Sequence, residues 1–175
     1  KKNLVQRQVE ALLKNKPQLS ADDLSNASVV VQGLTAYEYI LFDPNLDLAQ
    51  AEQKARYCPL LQAIGKHQQA LAAEIVGEWQ AKSGMAEQLK TFPNERYADA
   101  NEAIAELLRV QVSALDGLKK KLGAPMGRQS KGIAQPYQAE AWRSAGSLAN
   151  LGAALANAEL LWHGSNRDGI QSLLG

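Results

Sequence analysis

Hydrophobic residues along this chain recur at three- and four-residue steps, and no stretch alternates apolar and polar residues as a half-buried strand would. Helix is therefore predicted almost everywhere, and the sequence is rich in alanine, leucine, glutamine and glutamate, with few β-branched residues outside Val29 to Val31. A first helix is predicted over about residues 3–13, stopped by the Asn-Lys-Pro run at 15–17. Ser20 is placed to cap a short acidic turn. Ser25 or Asn26 is placed to cap a further helix that reaches Phe42 and ends at the turn signal Asp43-Pro44-Asn45. Asp47 and Gln50 have capping-box spacing and open a long pattern to Gln80, with Leu61, Ile64, Leu71, Ile75 and Trp79 on its seam and Gln68 as a polar interruption. Pro59 removes an amide donor inside that pattern, so a kink or break is expected near Tyr57.

Ser83-Gly84 is expected to end the long helix and Asn94 to start the next, whose stripe is Ile104, Leu108, Leu115, Leu118 and Leu122, again with one polar member, Gln111. Lys119, Lys120 and Lys121 then fall at the C-terminal end of the helix dipole, just before Gly123. A loop rich in glycine, proline and serine covers about residues 123–136. The last long helix is predicted over about 138–162, with Leu148, Leu151, Leu155 and Trp162 on one stripe. Its many small residues let backbones approach closely, which predicts a central place in a helical bundle.

Composition narrows the function classes. With 175 residues, 46% of them hydrophobic, the chain can bury a sizeable core. Nineteen basic residues against eighteen acidic ones leave no long-range pull toward nucleic acid or an anionic membrane, so neither is expected as a dominant partner. No apolar stretch reaches the roughly 18 to 20 residues needed to span a bilayer. Cys58 is the only cysteine, so neither an intramolecular disulfide nor a thiolate zinc cluster can form.

The candidate chemistry centres on Glu38, the only charged residue between Asp23 and Asp43, set in the apolar run 28–42. A carboxylate there must be paired, protonated or coordinated, because burying it bare costs several kcal/mol, roughly. Thr35 lies three residues before it and shares its helix face, and Gly33 permits close approach. Arg143 is the only lysine or arginine between Lys131 and Arg167, and on a helix it would share a face with Ser147. Its guanidinium is expected to meet Glu38 or a ligand beside it, with Ser144 and Ser147 supplying hydroxyls. The plain alternative is a structural ion pair, or an arginine reaching solvent. His67 reads as a partly buried, hydrogen-bonded histidine, and His163 as a residue near a helix C-terminus. The basic run from Lys119 to Lys131 reads either as a solvated helix end or as a weak anion or lipid-headgroup contact.

The segment Val31-Gln-Gly-Leu-Thr-Ala-Tyr-Glu-Tyr-Ile-Leu-Phe42 resembles the signature of the imelysin-like proteins, which has glycine, any residue, histidine, any two residues, then glutamate. The later Trp142-Arg143-Ser144 segment and the Lys-Leu-Gly-Ala-Pro-Met-Gly run at 121–127 resemble further parts of that family. The resemblance implies an all-α protein of two bundle-like halves, located in the periplasm or outer envelope of a bacterium and connected with iron uptake or iron-regulated physiology. It implies iron or another divalent metal as the cofactor class and iron-uptake components as partners. Membrane attachment would come only through an N-terminal lipid anchor outside this sequence. Residues 1–175 are accordingly expected to be one imelysin-like helical domain, a piece of a longer one. The resemblance places Gly33, Thr35, Tyr37, Glu38, Trp142, Arg143, Ser144 and Ser147 at the motif positions, with Glu38 as the candidate metal ligand. Thr35 stands where the motif has histidine, and threonine is a poor ligand for a transition metal.

Three functions follow as expectations. The first is non-enzymatic binding at a site around Glu38 and Arg143. The second is a structural or protein-interaction module with a degenerate site. The third, a metallopeptidase, lacks its usual pattern, since His67 and His163 stand in no His-Glu-x-x-His arrangement.

Overall fold

A computed structural model describes residues 3–16, 19–166 and 168–174, and every described element is helical. The chain divides into two compact units, the first comprising residues 1–76 and 143–145, the second residues 77–142 and 146–175.

The first unit contains α1 (Leu4–Asn15), α2 (Ala21–Ser25), α3 (Val29–Gln32), α4 (Leu34–Phe42) and α5 (Ala51–Gln80) as far as Val76. Its core joins Val9 and Leu13 of α1, Val31 of α3, Ala36, Tyr39 and Ile40 of α4, and Tyr57, Leu60, Ala63 and Ile64 of α5. Ser20 caps α2 through a reciprocal capping box with Asp23. Asp23 also holds Lys16 at 2.5 Å, and these bonds lower its carboxyl to about 2. The proposed stop at Pro17 lies outside the described residues.

The single helix predicted up to Phe42 is two. Ser28, rather than Ser25 or Asn26, caps α3, and Gly33 then leaves the helix in an extended conformation before α4 begins. The break frees the Gln32 carbonyl, and the Gln68 side chain of α5 donates to it at 2.9 Å. The polar interruption in the α5 seam thus satisfies a backbone group exposed by the break.

α5 runs unbroken through Pro59, contrary to the expected break. Tyr57 and Leu60 are buried on either side of the proline, so core packing holds the helix across one missing hydrogen bond. Its seam is buried only in the first half. Leu71, Ile75 and Trp79 are exposed, and the buried face is instead Tyr57, Leu60, Ala63, Ile64 and His67. His67 is buried as expected, and its Nε2 finds no hydrogen-bond partner among the described residues.

The second unit contains α6 (Met85–Gln88), α7 (Ala100–Gly123) and α8 (Ser147–His163), with 3-10 turns at Pro136–Gln138 and Ile170–Leu173. Asp99 caps α7, accepting from the amides of Asn101 and Glu102. Asn94 does not start this helix: its side chain closes the preceding loop, donating to the Gln88 and Thr91 carbonyls and accepting from the Arg96 and Tyr97 amides. α7 and α8 pack together, and Gln111 donates to the Ala158 carbonyl at 2.6 Å. α8 is not central in this unit. Only Ala158 is buried, while Leu148 is 73% and Leu155 55% exposed.

The predicted helix over 138–162 begins nine residues late, at Ser147. Ala141 (φ 54°) and Ala145 (φ 55°) adopt left-handed conformations, and the Gly146 amide donates to the Ala141 carbonyl, so residues 141–146 form a turn. Arg143 and Ser147 are therefore not neighbours on one helix face.

Candidate functional site

The turn carries Arg143 and Ser144 into the first unit. Ser144 meets Glu38 through two bonds: its backbone amide and its hydroxyl both donate to Glu38 Oε1, each at 2.8 Å. Glu38 is half-buried on α4 and has no ion pair among the described residues. One oxygen of the carboxylate is thus fixed by two neutral donors. The other accepts no hydrogen bond from the described residues. Thr35, one turn earlier on α4, is exposed, and Tyr37 and Gly33 are half-buried.

Arg143 takes a different carboxylate from the expected one. Its Nε donates to Asp43 Oδ2 at 3.3 Å, and the two side chains are only 3% and 12% exposed. Asp43 had read only as a turn residue. Burial works against its ionisation, yet the Asn45 amide and side chain and the Arg143 guanidinium together hold the carboxyl below its usual range. The guanidinium also lies over the Tyr39 ring, 5.2 Å from its centroid.

Tyr39 links this pair to a second carboxylate missed in the sequence, Glu10 of α1. Tyr57 donates to Glu10 Oε1 at 2.5 Å, Tyr39 makes a longer bond of 3.5 Å to the same oxygen, and Arg56 pairs with Oε2. Burial, reinforced by the Glu10 and Asp43 charges, pushes the Tyr39 phenol up to about 12. Burial and the Glu10 bond raise Tyr57 further. Glu10 follows the buried Val9 on the amphipathic α1, and only its helical phase beside Val9 and Leu13 hinted that it faces the core.

The remaining motif residues lie in the second unit. Trp142 packs edge-on against Tyr137, with ring centroids 4.8 Å apart. The Ser147 hydroxyl donates to the Glu140 carbonyl.

These donors do not fit a resident transition metal. Among the described residues no three or more histidine, cysteine, aspartate or glutamate side chains converge to hold an ion. Asp43 is committed to Arg143 and Asn45, Glu38 Oε1 to Ser144, and a threonine hydroxyl occupies the position where the motif carries imidazole.

The family model described as Imelysin, which carries a peptidase name, matches residues 1–175. No curated protein and no solved structure matches the chain. No helix among the described residues is long and apolar enough to cross a membrane.

Proposed function

Because the chain belongs to the imelysin family over residues 1–175, a family associated with the bacterial cell envelope, we propose that it is a non-enzymatic periplasmic or outer-envelope protein of iron acquisition. Its binding site centres on Glu38. The observation that carries this reading is a half-buried carboxylate with no ion pair among the described residues, one oxygen anchored by Ser144 and the other left for a ligand. A single carboxylate oxygen, with the Thr35 hydroxyl nearby on the helix, is a hard and sparse donor set. Such a set suits a cation that arrives with other ligands of its own and leaves easily, as cargo does, rather than a resident cofactor.

Titration calorimetry with ferrous, ferric and zinc ions tests this reading. The expected result is weak binding of an iron ion, with a Kd on the order of 10⁻⁴ M as for loosely built oxygen sites, and its loss in Glu38→Ala. Absence of binding by every ion would remove it.

A second reading has its own support in the burial of the Arg143–Asp43 pair: Glu38 and Asp43 fasten residues 143–145 to the first unit as a structural clasp. Under that reading Glu38→Ala lowers stability, and no ion binds either protein.

A further inference from the structure

The segment from Lys119 to Lys131 contains five basic residues and no acid. Lys121 is bonded to Glu140 at 2.7 Å, on another side of α7. Lys119 and Lys120 line a cavity of about 310 Å³ together with Arg128, and Asp116, Gly123 and Gln129 complete its wall. Among the described residues, none of the three cations forms an ion pair or a side-chain hydrogen bond.

A helix C-terminus attracts lysines through its unpaired carbonyls, and here two of the last four are occupied by amides of the following turn. The Ala124 amide donates to the Lys120 carbonyl at 2.9 Å and the Arg128 amide to the Gly123 carbonyl at 3.0 Å. The chain then folds back tightly at Gly127, which has φ +88° and where a Cβ would stand 2.6 Å from the Ile133 carbonyl oxygen. This turn lays the Arg128 stem on Gly123, so close that a methyl group there would meet Arg128 Cδ at 2.9 Å. The Arg128 stem is thus carried back onto α7 by a defined turn, and Arg128 lines the same cavity as the two lysines. Its forked N–H groups match an oxyanion, and the two ammonium groups add point charges. Three cations against the Asp116 carboxylate leave a formal excess of two positive charges, which balances a phosphate dianion.

We propose that Lys119, Lys120 and Arg128 form an oxyanion pocket for a phosphate group, either free or on a lipid headgroup. The site is separate from Glu38 and does not depend on its function.

Two arms test it: inorganic phosphate followed by amide NMR shifts, and cosedimentation with vesicles of phosphatidylglycerol or of neutral phosphatidylcholine. Shifts at Lys119, Lys120, Gly123 and Arg128 are expected with free phosphate if that is the source. Retention on phosphatidylglycerol but not phosphatidylcholine identifies the headgroup. In either arm Arg128→Gln and the double variant Lys119→Gln/Lys120→Gln should each weaken binding about tenfold, Lys14→Gln should not, and added salt should weaken it. Binding in neither arm, or binding unchanged in the double variant of exposed lysines with its helical spectrum intact, overturns the proposal.

Discussion

At the scale of single residues, the Arg143–Asp43 pair is the costliest to disturb. Removing one partner of a buried pair leaves the other charge uncompensated. Arg143→Met should therefore destabilise the first unit by about 3 kcal/mol, toward the low end for buried pairs because Asn45 still serves Asp43. Urea denaturation measures this, and Asp43→Asn/Arg143→Met together should recover part of the loss. The tyrosines give a pH dependence of the opposite sense to acid unfolding. A phenol whose folded pKa is raised contributes stability fully below its unfolded value near 10, and loses it as pH climbs through the folded value. Stability should accordingly fall between pH 10 and about 12, where Tyr39 titrates, and Tyr39→Phe/Tyr57→Phe should flatten that fall in urea midpoints. Glu38 stood out in the sequence because a lone charge in an apolar run demands a partner. Ser144 was read as a hydroxyl donor beside it, but its backbone amide bond to Glu38 was not legible, because Ser144 is presented by a turn with alanines in left-handed conformations, and alanine carries no sequence signal for such a turn.

At the scale of elements, local chemistry was readable where side chains act on their own backbone, and obscure where packing decides. Ser20 capped the short acidic helix as predicted, and the Asp43-Pro44-Asn45 turn ended α4 as predicted. The α3–α4 break was hidden, since Gly33 lies within an otherwise continuous apolar pattern and its freed carbonyl is answered by Gln68, thirty-six residues from Gln32. Pro59 misled in the other direction. A proline inside a helix costs about 3 kcal/mol relative to alanine, and α5 absorbs that cost because both flanks are buried. Pro59→Ala should thus stabilise the first unit by about 1 to 3 kcal/mol, seen as a higher urea midpoint with unchanged helical circular dichroism. An unchanged or lower midpoint would show that the proline is accommodated without cost.

At the scale of the whole molecule, the all-helical class followed from periodicity, and the family match covers the chain from end to end. Its division into two compact units was not apparent from the pattern, because α5 runs through the boundary after Val76 without a turn signal. Nor was the exposure of apolar seams in α5, α7 and α8 visible, since a heptad-like stripe records only that a face is apolar. The functional account concentrates ion binding at one place in this chain, so the most direct test maps all of it at once. Amide and side-chain NMR resonances followed during addition of a paramagnetic iron ion should broaden first at Thr35, Glu38 and Ser144, with the effect abolished in Glu38→Ala. Broadening centred on other carboxylates, such as Glu87 and Glu95, or broadening at Glu38 that survives the substitution, would contradict the account.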